Sequence, residues 1–181
     1  IKSYQNVFID ATGLDPLITN INELKDFLYN QQINDTWIEE ENEQDILLQF
    51  IFSNFIEKNI GKSTPCFIYD FPRSQAALAK ISPQDDRVAH RFECYYQGME
   101  LANGYDELTD PNEQLNRFKH DNEIRKKLGK QVKPIDYNFI KAMEIGLPEC
   151  SGVALGIDRL MMLALNKKYI NHVIAFGVEN A

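Results

Sequence analysis

The sequence is poor in the residues from which disulfides and zinc sites are built. The chain has three cysteines and three histidines among 181 residues, and neither set shows the close spacing of metal ligands. Cys66, Cys94 and Cys150 are far apart and odd in number, which favours reduced thiols in a cytoplasmic protein. We therefore expect neither a disulfide framework nor a zinc centre.

Positive charge and long apolar runs are also scarce. The chain carries 19 Lys and Arg against 27 Asp and Glu, for a net charge of −8. That balance argues against a broad nucleic-acid-binding face, although it does not exclude a local basic patch. No apolar run approaches the ~18 residues of a membrane span, and no signal peptide is visible. Because the chain opens on Ile1 rather than methionine, we expect it to be a piece of a longer protein.

What is present predicts one globular domain of the α+β class, with helices packed against an antiparallel sheet. Apolar spacing and capping residues favour helices, and β-prone runs favour strands. The acidic stretch 36–45 is expected to be a solvated turn. The expected helices cover residues 21–33, 43–61, 109–129 and 134–146. Asn20 or Asn22 would cap the first of them, Thr109 or Asp110 the third and Asp136 the fourth. The last block, residues 150–178, is expected to form a strand, a helix, a connection and a strand.

The segment RFECYYQGMELANGYDEL, residues 91–108, predicts a β-hairpin that turns at residues 97–98. That turn pairs Tyr95 with Glu100 and Glu93 with Ala102. Because side chains alternate between the two faces of a strand, Glu93, Ala102 and Glu100 should share one face. The opposite face is apolar and suits a core; its members are Phe92, Cys94, Tyr96, Met99 and Leu101.

The two acids of the predicted hairpin, Glu93 and Glu100, become diagonal neighbours roughly 7–8 Å apart at the backbone. Two carboxylates at that separation repel each other unless a positive charge lies between them, and a divalent cation with oxygen ligands fits. The same spacing also suits a solvated face on which both acids point to water. Spacing alone leaves both interpretations open.

Asn103 and Glu107 continue the polar pattern beyond the hairpin turn. Strict alternation places both of them on the face opposite Glu100. A bulge at Gly104 would reset that parity. Without such a bulge, these residues cannot all line one pocket.

The segment SGVALGIDRLMML alternates the small residues Gly152, Ala154 and Gly156. On a strand they would leave one face bare, so that a flat ligand could lie against the backbone. Arg159 would stand in the first turn of the next helix, where it can stack on an aromatic base and meet phosphate charge. Alternatively, the strand packs under a helix and Arg159 is an ordinary surface charge. The helix stripe of Leu160, Met161, Leu163 and Leu165 is expected to be core.

Several of these segments resemble a known family. GVALGIDR is similar to motif 3 of class II aminoacyl-tRNA synthetases in the lysine-type subgroup, and RFECYYQGMELANGYDELTD resembles the stretch of lysyl-tRNA synthetases that binds metal-ATP and lysine. QLNRF, GLPECSGVALGIDR and VIAFGV extend the resemblance over most of the chain. ELANGYDELTD, PECSGVALGIDRLMMLAL and the opening SYQNVFIDATGLDPL are most similar to the lysyl-tRNA synthetase paralogues that modify elongation factor P. Ala154 stands where true lysyl-tRNA synthetases usually carry glycine.

The resemblance implies a six- or seven-stranded antiparallel catalytic sheet flanked by helices. It implies ATP and Mg²⁺ as cofactors and a lysine-type amino acid, (R)-β-lysine, as the substrate that is activated to an aminoacyl-adenylate. The acyl group would pass to a lysine of elongation factor P, and the full-length protein would be a cytoplasmic homodimer.

The resemblance also implies roles for individual residues. Glu93 and Glu100 would hold magnesium and ATP, with the Leu101 backbone nearby. Gly156 would lie against the nucleotide, and Arg159 would stack on adenine and act in catalysis. The amino-acid pocket would be formed by Glu107, Asn103 and Ala154.

Motifs 1 and 2 of the family are absent from the sequence, so residues 1–181 would be the C-terminal part of a catalytic domain. We therefore expect little or no pyrophosphate exchange from this piece alone. Two other functions stay open. The chain could be the C-terminal piece of a true lysyl-tRNA synthetase that charges tRNA, or a non-catalytic fragment that binds a partner.

Overall fold

The computed structural model describes residues 1–177 as one five-stranded sheet with helices packed on it. The strands follow one another across the sheet in chain order. β1 runs parallel to β2, and every other neighbouring pair is antiparallel. The strands are β1 (Lys2–Ser3), β2 (Cys66–Pro72), β3 (Val88–Tyr96), β4 (Met99–Asp106) and β5 (Ser151–Leu155). The α+β class is confirmed, with five strands among the described residues and one parallel pair.

Helices fill the segments before β2 and after β4. They are α1 (Tyr4–Thr12), α2 (Ile21–Asn30), α3 (Thr36–Glu40), α4 (Gln44–Ile51), α5 (Pro111–Lys127), α6 (Tyr137–Gly146) and α7 (Ile157–Ala164). α4 passes into a π-helical turn at Phe52–Ile56 and a 3₁₀ turn at Glu57–Asn59. Gly61 ends this run with a φ of 63°, a left-handed conformation that glycine adopts without a steric penalty.

Side-chain caps explain where several helices begin. The Asn20 side chain accepts hydrogen bonds from the backbone N–H groups of residues 22 and 23. The Glu23 carboxylate in turn accepts the backbone N–H of Asn20, which completes a capping box at α2. Asp110 caps α5 ahead of Pro111, and Asp136 caps α6. Such caps satisfy backbone donors that have no partner inside the helix. These boundaries follow from short-range sequence and match the predicted helices.

The main core lies between the N-terminal helices and the β2–β3 part of the sheet. Phe8, Leu24, Leu47, Ile51 and Ile68 are completely buried there. The aromatic rings of Tyr4 and Phe52 stack within this core, with centroids 4.9 Å apart. This packing fixes the position of β2 and β3, and therefore the position of the polar residues on β3.

Three predictions about the elements are wrong. Within the acidic stretch 36–45, residues Thr36–Glu40 form α3, because Ile38 is fully buried and anchors that turn. The stripe on α7 is not core: Leu160, Met161 and Leu165 are exposed, Leu163 is half-buried and Met162 is the buried residue. The last block continues from a 3₁₀ turn at Ile170–His172 into a turn and bend over residues 173–175 and irregular backbone at residues 176–177, not a strand, while Val178 lies outside the described residues.

Candidate active site on the face formed by β3, β4 and β5

A bulge in β4 decides which residues of the hairpin face the same side. The predicted pairing of Tyr95 with Glu100 is present, but the register shifts between Cys94 and Tyr95. Leu101 is the additional residue, so Glu93 pairs with Asn103. The expected pairing of Glu93 with Ala102 is therefore wrong, and Ala102 lies opposite Cys94 instead.

The bulge puts the polar residues of the hairpin on one face. Because Glu93 and Tyr95 are two residues apart, their partners Asn103 and Glu100 share a face with them. The prediction that Asn103 faces away from Glu100 is thus wrong, since the parity is reset at Leu101 rather than at Gly104. A bulge of this kind re-aims side chains, as bulges beside active sites do.

Glu93 is the most enclosed acid of this face, with 6% of its surface exposed. Its carboxylate accepts hydrogen bonds from Arg91 Nη2 at 2.5 Å, from Asn103 Nδ2 at 3.1 Å and from the Tyr95 hydroxyl. Burial, followed by the negative charge of Glu93, raises the pKa of Tyr95, so the phenol stays protonated and donates. The buried charge is compensated by the pairing and bonding that such charges need.

Arg91 is a residue of this site that the sequence reasoning missed. It donates to the backbone oxygen of Gln75 at 2.7 Å, and its guanidinium lies 4.5 Å from the centre of the Phe71 ring. Alternation along β3 places Arg91, Glu93 and Tyr95 on one face, and that signal could have identified it. Arg91 fixes the position of Glu93 from the core side of the sheet.

Arg159 reaches the same region from α7. Its Nη1 donates to the backbone oxygen of Glu100 at 2.6 Å and lies 3.5 Å from the Glu100 carboxylate. Gly156, which precedes α7, donates its backbone N–H to the Leu101 oxygen at 2.8 Å. Both contacts are therefore made to residues at the β4 bulge, and the Arg159 guanidinium points toward the Glu100 carboxylate.

β5 forms the outer border of this face. Ala154 pairs with Asn103, and Gly152 pairs with Tyr105. The Glu107 carboxylate lies where a side chain at Gly152 would begin, so only glycine leaves room for it. Glu107, just past the end of β4, thus lies beside Gly152, and Asn103 lies beside Ala154. The strip expected to be bare is exposed at Ala154, whereas the Glu107 carboxylate covers it at Gly152.

A cavity of about 300 Å³ opens beside Glu93 and Glu100. Glu57, from the 3₁₀ turn after α4, also lines it and was missed by the sequence reasoning because it is remote in sequence. Burial is the main cause that raises the pKa of Glu57, and the negative charges of Glu100 and Glu93 add to it. A third acid near Glu93 and Glu100 makes this cavity attractive to a cation.

The fit of this site to magnesium and nucleotide can be tested on its donor atoms. The described residues contain no group of three or more His, Cys, Asp or Glu side chains arranged around one metal position. Mg²⁺ is commonly held by one or two carboxylates together with phosphate oxygens and water, and the carboxylates of Glu100 and Glu93 are compatible with such a site. Asn103 Oδ1 is buried without a hydrogen-bond partner and is free to accept a bond from a bound group. The two carboxylates and the amide oxygen of Asn103 are the kinds of atom that bind a metal ion or a cationic group.

Two further observations bear on the sequence-based expectations. Cys66, Cys94 and Cys150 are free thiols, and burial raises the pKa of Cys94. Across residues 1–177, every helix is too short or too polar to cross a bilayer.

Comparison with known proteins places this chain in a family. The family model described as tRNA synthetases class II (D, K and N) matches residues 10–180. The chain is 54% identical to the elongation factor P–(R)-β-lysine ligase of Vibrio cholerae over 99% of its length and 55% of that protein. It is 53% identical to the ligase of that name from Vibrio parahaemolyticus over 96% of its length and 54% of the relative. The chain spans about half the length of these relatives. It belongs to the class II tRNA synthetase family that comprises the D, K and N types.

Proposed function

We propose that the chain is the C-terminal part of the catalytic domain of a ligase that activates (R)-β-lysine with ATP and transfers it to a lysine of elongation factor P. The observation that carries this proposal is the 50–54% identity to ligases of that name over 96–99% of the chain. The face built by β3, β4 and β5 supports it, because the residues expected to bind nucleotide and amino acid are adjacent there.

In this proposal Glu100 and Glu93 hold Mg²⁺ and ATP, next to the Leu101 backbone and Gly156. The metal, when bound, neutralises phosphate charge. Arg159 stacks on adenine and adds positive charge beside Glu100. Glu107 binds an ammonium group of the amino acid, with Asn103 and Ala154 in the same pocket. We further propose that the full-length protein is a cytoplasmic homodimer.

The reaction needs positioning more than proton transfer. An oxygen of the substrate carboxylate attacks the α-phosphorus of ATP, the bond to pyrophosphate breaks, and the aminoacyl-adenylate forms. The deprotonated ε-amine of the acceptor lysine then attacks the acyl carbon, AMP leaves, and an amide forms. Alignment and charge neutralisation supply most of the catalysis in such a step. The acids and Arg159 are suited to these two tasks.

Amino-acid-dependent ATP–pyrophosphate exchange by the full-length parent protein tests the proposal. We expect faster exchange with (R)-β-lysine than with α-lysine, and transfer of the acyl group to elongation factor P. Preferential α-lysine exchange with aminoacylation of tRNA would instead identify a lysyl-tRNA synthetase. Residues 1–181 alone should show little or no exchange, since the expected motifs 1 and 2 are missing from this chain.

Ala154 offers a sharper test of substrate choice. Its methyl group stands on the strip of β5 next to Asn103. We expect Ala154→Gly to shift the ratio of kcat/KM values toward α-lysine, because one methyl group in a pocket is worth roughly tenfold or more in discrimination. Val153→Ala changes an exposed residue on the opposite face of the same strand and is the matched control. An unchanged ratio in Ala154→Gly would remove Ala154 from the specificity pocket.

A further inference from the structure

A cluster of five cations lies at the end of α5 and in the segment after it, within nine residues of a chain whose net charge is −8. The cluster comprises Arg125, Lys126, Lys127, Lys130 and Lys133. In residues 1–177, none of them has a carboxylate within ion-pair distance. Cations in the last turn of a helix offset the helix dipole, which accounts for the first three. Lys130 and Lys133 lie beyond α5 and have no such role.

These two lysines border a groove of about 550 Å³ between α5 and the segment that follows it. Its apolar lining is Phe118, Ile124, Leu128, Pro134 and Ile135. Its charged border is Arg125, Lys130 and Lys133, together with Asp121 and Asp136. Asp136 is engaged as the cap of α6. We call this feature the basic groove; its apolar lining and cationic border suit a partner that is both apolar and acidic.

The backbone of the basic groove is tied to α5. Asn122 holds Lys133 from both sides, since its Nδ2 donates to the Lys133 oxygen at 2.9 Å and its Oδ1 accepts the Lys133 N–H at 3.0 Å. Arg125 Nε donates to the Gln131 oxygen at 2.8 Å. A groove held in this way loses little conformational freedom when a partner binds. It is a formed surface rather than a loose basic loop.

The chain's own acidic segment does not neutralise this border. Glu40, Glu41 and Glu43 face Lys127 across a separate cavity of about 480 Å³. No ion pair within the described residues joins them. That second cavity is lined by Lys127 and Leu128 but not by Lys130 or Lys133. The lysines after the helix therefore remain available to a partner.

We propose that the basic groove docks the protein acceptor of the acyl group, through an acidic segment of that protein that carries an apolar side chain. The inference depends on the proposed function for the identity of the acceptor. Glu107 lies four residues before α5, and Asn122, which holds Lys133, lies eleven residues along that helix. At ~1.5 Å per residue, about 17 Å of helix axis therefore separates the start of α5 from the level of Lys133. A partner that occupies the active site and the groove together has to span this part of the helix, as a protein can. The apolar lining favours a protein over a nucleic acid, whose phosphates need cations alone.

Binding of elongation factor P to the full-length parent tests the proposal. The double variant Lys130→Glu/Lys133→Glu is compared with Lys167→Glu/Lys168→Glu, which makes the same charge change at two exposed lysines after α7. We expect the groove variant to raise Kd and the KM for the acceptor by about tenfold or more, with a weaker salt dependence. The control should change both by less than about twofold. Pyrophosphate exchange should be unchanged in both variants, because neither pair touches the active site.

Asn122→Ala separates shape from charge, because it keeps every cation and releases Lys133. We expect it to weaken acceptor binding without changing the salt dependence. Equal weakening by the two charge variants would show that only net charge matters and would overturn the proposal. Retained acceptor binding with a lost tRNA interaction in the groove variant would also overturn it, in favour of a nucleic-acid surface. Absence of pyrophosphate exchange in the unmodified parent would refute the proposed function instead, while the binding comparison would still decide the docking site.

Discussion

The two ends of the described chain bury their apolar residues to very different extents. In the N-terminal region, residues 1–96, Phe8, Leu47 and Ile68 are completely buried. In the C-terminal region, residues 137–177, Val153 is 62% and Ile157 is 60% exposed. The apolar pattern is similar in both regions. They differ in whether other elements of the chain pack over the apolar side chains. The candidate site lies at their border, with Glu93 on the packed side and Arg159 on the open side.

This difference indicates that stability is unevenly distributed over the molecule. Elements with few buried apolar contacts open at lower free-energy cost than a packed core. α7 and β5 carry Arg159 and Ala154, so two of the residues that we propose to contact the substrates lie on the less stable elements. Exposed apolar surface of this extent is also typical of a surface that contacts another part of a protein.

The two ion pairs of the site provide the largest expected contrast. Arg91→Met leaves Glu93 buried without its charged partner and should lower the free energy of unfolding by about 3–5 kcal/mol. Arg159→Met removes a half-exposed pair and should change it by only about 0–1 kcal/mol. Urea unfolding of both variants measures the difference. Equal effects would show that the border between packed and open sides is not where we place it.

Matched leucines test the two regions directly. Leu47 is fully buried in α4, whereas Leu160 in α7 is 42% exposed. Leu47→Ala should cost about 2–5 kcal/mol, because it removes buried contacts and leaves a cavity. Leu160→Ala should cost less than about 1 kcal/mol, as exposed positions do. A comparable loss at Leu160 would contradict the picture of an uncovered α7.

Gly104 tests how tightly β4 is packed at the border. A methyl group there would lie 2.7 Å from the backbone oxygen of Gly152 and would also overlap the Phe92 ring. Gly104→Ala should therefore lower the free energy of unfolding by about 1–3 kcal/mol. Gly129→Ala is a comparison site where nothing lies within 4 Å, although its φ of 64° adds backbone strain. Thermal unfolding of the two variants distinguishes overlap from strain, and a larger loss at Gly129 would contradict tight packing at Gly104.

The smallest effect is expected at Glu57, and its size depends on pH. Burial and the charges of Glu100 and Glu93 raise the pKa of Glu57 in the folded state. The folded chain thus holds the Glu57 proton more tightly than the unfolded chain. The free energy of unfolding therefore falls as pH rises from the ordinary glutamate value of 4.5 through the raised pKa. Glu57→Gln should become more stable relative to the parent across that window. Urea unfolding at pH 4 and pH 7 measures this, and a constant difference would exclude the coupling.

Much of the fold follows from local sequence signals. The caps at Asn20, Asp110 and Asp136 and the hairpin turn at residues 97–98 lie where the sequence predicts them. Each depends on residues a few positions apart, which interact before any tertiary structure exists. The pairing of Tyr95 with Glu100 was predictable for the same reason.

The arrangement of the site was predictable only in part. The residue types were identified from the sequence, but Arg91 and Glu57 were missed as members of the site. The predicted parity was also wrong, because no local signal distinguished a bulge at Leu101 from one at Gly104. The stripe on α7 read as core because its pattern does not reveal whether a partner covers it.

The sequence by itself determined the class of fold, the residues that cap several helices and the chemical character of the acids, since these depend on short-range bonding and periodicity. Only the tertiary structure decided that Glu93 and Asn103 face each other, that Arg159 meets Glu100, and that Glu57 joins them. These contacts connect residues far apart in the chain, and one additional residue in a strand reverses every side chain beyond it. Burial likewise depends on which surfaces meet, and that is a property of the assembled molecule.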